Sequence, residues 1–200
     1  MLKKIAVTGG IASGKTTVCT IFQNLGAYVV MADTLVHGLL NPNTDLGRRI
    51  IEEFGAEAIF KEGQINRKAL ANIAFNNPQM LQKLEKMIHP AVLQKLDEQY
   101  DWAAKEKKYS SFVAEIPLLF EIGAQDRYDI VITVICDEEI SKKRFVQAGF
   151  SESEYTLRMK RQWHPTKKGA KSQYVIRNNG TLEALRAEVV RINGAIQDNF

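Results

Sequence analysis

The fold of this chain is decided by the stretch Gly9-Gly10-Ile11-Ala12-Ser13-Gly14-Lys15-Thr16. Its spacing is Gly-x4-Gly-Lys-Thr, the pattern of a phosphate-binding loop, or P-loop, between a strand and a helix. Before the loop, the apolar run Lys4–Thr8 predicts a short buried strand. After it, residues 15–25 predict the start of a helix. We therefore expect the chain to bind a nucleoside triphosphate.

Each residue type in the loop has a chemical role in phosphate binding. Glycines let backbone N–H groups turn toward phosphate oxygens, and the following helix adds the positive end of its dipole. Lys15 is expected to reach the β- and γ-phosphates, and the Thr16 hydroxyl to ligate Mg²⁺. The residues expected to bind ATP here are Gly10, Ile11, Ala12, Ser13, Gly14, Lys15, Thr16 and Thr17.

Length and composition fit one α/β domain with insertions. The chain has 200 residues, 45% of them hydrophobic and 25% charged, as in ordinary globular domains. The net charge of 27 − 23 = +4 suits a small anionic substrate, and no basic run of the nucleic-acid-binding type is present. The first apolar stretch stops at Gly9, too short for a signal peptide, and no run reaches membrane-spanning length. We expect a cytoplasmic protein that binds neither nucleic acid nor membrane.

Strands and helices alternate along the rest of the chain. Further strands are predicted at Tyr28–Ala32, Ser111–Ile116, Asp129–Cys136 and Tyr174–Ile176, and a closing helix at Thr181–Ile196. The third of these runs is rich in β-branched residues, which is typical of a buried parallel strand. The two cysteines, Cys19 and Cys136, are expected to be small buried hydrophobic residues rather than a disulfide or a metal pair.

The long gap between the second and third predicted strands indicates a helical insertion. One apolar stripe at helical spacing crosses it, formed by Leu81, Leu84, Ile88, Val92 and Leu96. Pro90 interrupts this stripe and is expected to end or bend the helix, because proline lacks the N–H donor and clashes with the preceding turn.

Asp33 directly follows the second predicted strand. Ligands of open parallel sheets bind at the carboxyl ends of the strands, so we expect Asp33 at the same sheet edge as the P-loop. A carboxylate there can orient a substrate hydroxyl for attack on the γ-phosphate, a step in which positioning matters more than basicity. The alternative is that Asp33 caps a helix beginning at Thr34. The residues alone leave both possibilities open.

A series of further blocks resembles the dephospho-CoA kinase family, in that family's order and over nearly the whole chain. The blocks are Thr8–Thr16, Leu25-Gly26, Ala32-Asp33, Phe54-Gly55, Gly63-x-Ile65-Asn66-Arg67, His89-Pro90, Ile116-Pro117-Leu118-Leu119-Phe120-Glu121 and Asn178-Asn179-Gly180. The P-loop alone is unspecific. The His-Pro pair together with the Ile-Pro-Leu-Leu-Phe-Glu block is quite specific.

The resemblance implies an α/β fold: a five-stranded parallel P-loop sheet flanked by helices, with a helical insertion and a helical lid. The implied boundaries are a core of about 1–55, 109–137 and 172–200, a substrate-binding insertion of about 56–108 and a lid of about 138–171. The implied reaction is ATP- and Mg²⁺-dependent phosphorylation of the 3′-hydroxyl of dephospho-CoA, the final step of coenzyme A synthesis. We expect a monomer or a weak homo-oligomer.

The resemblance also assigns roles to single residues. The implied catalytic residues are Asp33, Lys15 and Arg144, with Asn178 binding ATP. The implied substrate-binding residues are Thr8, Asp33, Arg67, His89, Pro90, Leu118 and Phe120. The residues alone leave plainer roles open, such as a solvated basic helix face for Arg144 and core packing for Leu118 and Phe120.

The chain departs from the family pattern at several positions, two of which bear on the phosphates. Ala12 stands where glycine is usual, which is tolerable if the φ angle there is negative. Ala148 stands where a second lid arginine is usual. The basic residues available to replace that arginine are Lys142, Lys143, Arg158 and Arg161.

Three other functions fit a P-loop. One is a different small-molecule kinase, with a nucleoside monophosphate or shikimate-like acceptor. Another is a P-loop ATPase, since Ile130–Cys136 followed by Asp137-Glu138 resembles a Walker B strand. In a kinase the same acidic pair would lead into the lid helix and favour its N-terminus. A guanine-nucleotide switch would require an Asn-Lys-x-Asp element, which the sequence lacks.

Overall fold

A computed structural model of the chain describes residues 1–198, which divide into two compact units. The first unit is Met1–Met31 with the chain from Tyr100 onward, and the second is Ala32–Gln99. The strands are β1 (Lys4–Gly9), β2 (Tyr28–Met31), β3 (Phe60–Lys61), β4 (Gln64–Ile65), β5 (Phe112–Glu115), β6 (Ile130–Ile135) and β7 (Tyr174–Arg177). The α-helices are α1 (Lys15–Asn24), α2 (Ala32–Leu39), α3 (Asp45–Phe54), α4 (Ala56–Ile59), α5 (Arg67–Asn76), α6 (Pro78–Glu106), α7 (Glu138–Gln147), α8 (Glu152–Met159), α9 (Pro165–Gly169) and α10 (Leu182–Asp198).

The first unit is built on a five-stranded parallel sheet in the order β2-β5-β1-β6-β7. This confirms the predicted fold class, and each strand end lies within one residue of its predicted position. The order places β1 between β5 and β6, with Val7 paired to both Glu115 and Ile132. The carboxyl ends of these three strands therefore meet at the edge from which the P-loop emerges.

Two helices cover one face of the sheet and bury its core. Val18 and Phe22 of α1 and Val189 and Ile192 of α10 are fully buried in the cluster that contains Ile132. All six residues of β6 are buried. Burial on both faces explains why this strand is a continuous apolar run rather than an alternating one.

The second unit has its own apolar cluster, which α3, α4, α5 and α6 surround. Ile50 and Ile59 are fully buried in it, and Leu84 and Ile88 of α6 pack against it. Pro90 was expected to end or bend the helix, and the first of these outcomes is wrong, because the 29-residue helix α6 runs through Pro90. A proline removes one helix hydrogen bond, and the packing of the apolar stripe on either side of Pro90 holds the helix together despite that loss.

Within residues 1–198, the long helices are too polar to cross a lipid bilayer.

We predict that Gly9→Ala destabilises the protein by ~3 kcal/mol or more, the upper range of overpacking costs. A β-carbon on Gly9 would lie 2.0 Å from the Val134 carbonyl oxygen, and the φ angle of Gly9 is 147°. The matched control is Gly194→Ala, where no atom lies within 4 Å of the new β-carbon and α10 should gain ~0.5–1 kcal/mol. Urea unfolding of both variants measures the free energies; equal stability of the two would contradict the close approach of β1 and β6.

Candidate active site

The P-loop joins the central strand to the N-terminus of α1. Gly14 precedes the helix with φ 95°, and a β-carbon there would lie 2.2 Å from the Asn178 amide nitrogen. Only glycine satisfies both conditions. The backbone N–H groups at the start of α1 then point toward the space above the sheet edge, where the helix dipole favours an anion.

Ala12 has a φ angle of 49°, so the condition under which a methyl group was expected to be tolerable is not met. A left-handed conformation costs a residue with a β-carbon roughly 1–2 kcal/mol. This strain explains why glycine, which has no β-carbon, is usual at this position in the family that the chain resembles.

Lys15 is folded back over the loop. Its side chain is buried, and Nζ donates a hydrogen bond of 2.7 Å to the Gly10 carbonyl oxygen. The ammonium group is therefore held inside the loop, where a phosphate would be cradled.

Thr16 contacts a carboxylate that the sequence reasoning missed. Its hydroxyl lies 3.1 Å from one carboxylate oxygen of Glu115 and 3.3 Å from the other. Glu115 is buried at the end of β5. Its position at the carboxyl edge of a strand was a usable signal, but it acquires meaning only once β5 is known to lie beside β1.

The pair of a hydroxyl and a carboxylate oxygen fits Mg²⁺, which prefers oxygen ligands and keeps most of its coordination sphere for water and phosphates. Among the described residues no three His, Cys, Asp or Glu side chains converge as a protein-only metal cage. Thr16 and Glu115 are thus the residues able to hold a magnesium ion beside the P-loop.

Asn178 connects the P-loop to the segment that follows β7. Its amide nitrogen donates to the Ser13 carbonyl oxygen at 2.8 Å, and its own carbonyl oxygen accepts from Arg144 Nη1 at 3.1 Å. Next to it, the Asn179 side-chain oxygen accepts the Asp137 N–H at 2.9 Å. Two predicted residues, Arg144 and Asn178, are thereby brought together with the loop.

Asp137 and Glu138 stand at the start of α7, where acidic side chains favour the positive end of the helix dipole. Asp137 is the N-cap residue, and Glu138 lies in the first turn. The carboxylate that contacts the P-loop threonine comes from Glu115 on β5, not from this pair after β6. The contacts of Thr16 therefore do not include the acidic pair that made β6 resemble a Walker B strand.

A cavity of about 260 Å³ lies between the P-loop and the segments that follow β6 and β7. Its lining includes Gly10, Ser13, Cys136, Tyr155, Met159, His164, Arg177 and Asn179. Beside it, Ile11 of the loop packs against Phe145 and Tyr155 in one apolar cluster. Helices α7 and α8 are therefore attached to the P-loop by apolar contacts.

Two of the basic residues near Ala148 already have partners. Lys142 forms an ion pair of 2.7 Å with Glu152. The Arg158 guanidinium lies 4.7 Å from the ring centre of Phe150 and 5.2 Å from that of Phe145. These contacts stabilise the pairing of α7 with α8.

The segment after β5 carries Leu118 and Phe120, which the resemblance assigns to substrate binding. Phe120 is buried and stacks on Trp163 with a centroid distance of 5.8 Å. Leu119 is fully buried, whereas Leu118 is half-buried. Thr8 at the end of β1 donates a hydrogen bond of 3.2 Å to the Pro117 carbonyl oxygen.

The second unit carries the remaining predicted residues. Asp33 is the second residue of α2, so the alternative that it caps a helix beginning at Thr34 is wrong. Arg67 is exposed at the first position of α5, which Asn66 caps through a 3.1 Å bond from the Ala69 N–H. His89 is half-buried next to Pro90 in α6, and burial lowers its pKa.

The cysteines are free thiols. Cys19 is fully buried, and burial raises its pKa well above the ordinary value, an effect that the Glu115 carboxylate increases. Cys136 is half-buried at the cavity, and burial raises its pKa as well. The prediction of a buried hydrophobic role is confirmed for Cys19 and holds only in part for Cys136.

Comparisons with known proteins agree with this geometry. Residues 3–184 match the family model described as dephospho-CoA kinase. Two curated relatives with that name are the proteins of Protochlamydia amoebophila, 41% identical over 92% of both chains, and Chlamydia muridarum, 42% identical over 94% of this chain and 93% of the relative.

Solved structures show the same fold. The dephospho-CoA kinase of Campylobacter jejuni has a TM-score of 0.73 and 32% identity, covering 100% of this chain and 99% of its own. TT1252 of Thermus thermophilus has a TM-score of 0.80 and 28% identity, covering 97% of both chains. The shikimate kinase of Acinetobacter baumannii, at 16% identity and a TM-score of 0.54, shares the fold alone, covering 100% of this chain and 95% of its own.

We predict that Lys15→Ala lowers ATP turnover by roughly 10²–10³-fold or more, as expected when a preorganised phosphate donor is lost. The melting temperature should change little, since Lys15 is the first residue of α1 and its ammonium bonds the Gly10 carbonyl rather than packing in the apolar core. Lys105→Ala, an exposed position on α6, is the matched control and should keep normal turnover. Normal activity of a folded Lys15 variant would refute the phosphate-binding role of the loop.

Proposed function

The chain belongs to the dephospho-CoA kinase family, and we propose how its residues carry out that reaction. The enzyme transfers the γ-phosphoryl group of ATP to the 3′-hydroxyl of dephospho-CoA, the final step of coenzyme A synthesis. The observation that carries this function is the family match over residues 3–184. The contacts of the P-loop support the assignment of roles within it.

The loop binds the triphosphate of ATP. Backbone N–H groups from Gly10 to Thr17 surround the phosphates, and Lys15 leaves the Gly10 carbonyl to neutralise the β- and γ-oxygens. Thr16 and Glu115 would hold Mg²⁺, which would neutralise charge on the phosphates when bound. Thr16 and Glu115 are already in contact before ATP binds, and groups that are already in place need little reorganisation as charge develops.

Arg144 stabilises the transferred phosphoryl group. A guanidinium presents paired donors that match phosphate oxygens. In support of this role, Arg144 donates a hydrogen bond to the backbone carbonyl of Asn178, whose side chain bonds the P-loop at Ser13. Asn178 thus contributes to ATP binding directly, and also indirectly by holding Arg144.

Asp33 orients the acceptor hydroxyl for attack. It lies two residues beyond Met31, whose strand pairs in register with Glu115. The acceptor itself is bound by the insertion of about 56–108, through Arg67, His89 and Pro90, and by Thr8, Leu118 and Phe120. The segment of about 138–171 acts as the lid over the phosphates. We further propose a cytoplasmic enzyme, monomeric or weakly associated, with no nucleic-acid partner.

The other P-loop functions lack comparable support. The likeness to shikimate kinase is one of fold, at 16% identity. The acidic pair that suggested an ATPase lies at the N-terminus of α7, and the Asp137 N–H is bonded to Asn179.

We predict that dephospho-CoA is the preferred acceptor and that conversion to CoA requires both ATP and Mg²⁺. An ADP-release assay with dephospho-CoA, nucleoside monophosphates and shikimate at matched concentrations measures the preference, with a chelator as the control for the metal. A faster rate with one of the other acceptors would replace dephospho-CoA as the substrate.

We predict that Asp33→Asn lowers turnover by roughly 10²–10⁴-fold, the range typical of losing a general acid–base group. Stability should change by less than ~1 kcal/mol, since the substitution removes only a favourable charge in the first turn of α2. Asp45→Asn, in the first turn of α3, is the matched control for that charge and should leave turnover unchanged.

The measurement combines thermal melting, ATP binding and initial rate on each purified variant. An Asp33→Asn protein with the wild-type rate would rule out a catalytic role. A rate loss that only follows a loss of folded protein would assign Asp33 a structural role instead.

A further inference from the structure

Lys168 is a fully buried lysine in the first unit. It lies on α9 with none of its side chain exposed. Its Nζ donates to the Pro117 carbonyl oxygen at 2.7 Å and lies 2.9 Å from Glu121 Oε1. Fully buried lysines are rare, because the ammonium loses its hydration unless it is paired and hydrogen-bonded. Burial lowers the pKa of Lys168, and the Glu121 carboxylate opposes that effect.

Glu121 and Pro117 extend this contact to two other segments. Glu121 Oε1 also accepts the Trp163 N–H at 2.6 Å, and the Trp163 ring stacks on Phe120. The Pro117 carbonyl oxygen also accepts the Thr8 hydroxyl at 3.2 Å. One ammonium group therefore joins the end of β1, the segment 117–121 and the segment 163–168.

Stability alone does not account for this arrangement. The attraction within a buried ion pair does little more than offset the hydration that the two charges lose. Apolar residues of similar volume often stabilise a protein equally well. Oε2 of Glu121 is buried and accepts no hydrogen bond among the described residues, so the pair is not fully satisfied. What the network provides is a fixed position for the backbone and side chains of segment 117–121.

We propose that Lys168 and Glu121 are positioning residues for the acceptor, holding segment 117–121 against Thr8 and Trp163 so that Leu118 and Phe120 meet the substrate in one arrangement. The proposal rests on the function given above, because it takes this segment as part of the acceptor site. Neither residue touches a reacting atom. The P-loop has hydrogen bonds of its own, from Asn178 to the Ser13 carbonyl and from Lys15 to the Gly10 carbonyl.

The test is a double-mutant cycle with Glu121→Gln, Lys168→Met and the double variant. For each protein one measures kcat, the KM for dephospho-CoA, the KM for ATP and the melting temperature. We expect kcat/KM for dephospho-CoA to fall by roughly 10–100-fold in Lys168→Met, since small misplacements of positioning groups cost up to 10²-fold. The KM for ATP should stay within about twofold, because separate hydrogen bonds hold the P-loop.

The double variant should lose no more acceptor efficiency than Lys168→Met alone, because the two residues act as one unit. It also decides the matter if a single variant fails to fold, since it carries no unpaired buried charge. Arg191→Met, which breaks the exposed ion pair with Glu188 on α10, is the matched control and should leave all four quantities unchanged.

A lowered melting temperature with unchanged KM values for both substrates would overturn the proposal and leave a structural role. An equal rise in both KM values would overturn it as well, since the segment would then serve the whole site. A wild-type protein that fails to phosphorylate dephospho-CoA would instead refute the proposed function, and the acceptor role with it.

Discussion

The hydrogen bond from the Asn178 amide to the Ser13 carbonyl oxygen is the contact on which the active site depends. It spans 165 residues of sequence and closes at 2.8 Å in the interior of the first unit. The backbone of a P-loop has no regular hydrogen-bond ladder like that of a helix or a sheet. Its shape therefore depends on hydrogen bonds to neighbouring segments. Gly14 permits this approach, because any β-carbon there would overlap the amide.

The same contact explains how the phosphate-binding groups are coordinated. Asn178 also accepts from Arg144, so the cation proposed for the γ-phosphate is fixed to the residue that shapes the loop. On the other side, the Thr16 hydroxyl is bonded to Glu115 of the neighbouring strand. The charges that phosphoryl transfer requires are therefore preorganised from two sides of β1, and positioning together with electrostatics supplies most of the catalysis in this reaction class.

Much of the core could be predicted from the sequence. Runs of β-branched residues bounded by glycines predicted the ends of each strand of the main sheet within one residue. Strands that are buried on both faces have such continuous apolar sequences. The roles expected for the P-loop residues rest on a motif whose chemistry is local. Asp33 was predicted at a strand end, and the structure corrected only the helix boundary.

The features that the sequence did not predict depend mostly on contacts between segments that are distant in the chain. Glu115 gains its partner from the strand order, which no local pattern shows. No local pattern around Lys168 indicates burial, yet its side chain is fully buried against Glu121. Pro90 was expected to end or bend its helix, and tertiary packing keeps that helix continuous. The positive φ of Ala12 is a property of the loop that residue identity did not indicate.

The central claim is that this site transfers the γ-phosphoryl group to an alcohol rather than to water. The most direct test is the stoichiometry of products formed from ATP and dephospho-CoA, followed by phosphorus NMR as ADP, the 3′-phosphomonoester of CoA and inorganic phosphate. We expect one CoA for each ADP, with inorganic phosphate at the level seen without enzyme. Release of ADP and inorganic phosphate in equal amounts, without a new 3′-phosphomonoester, would contradict it.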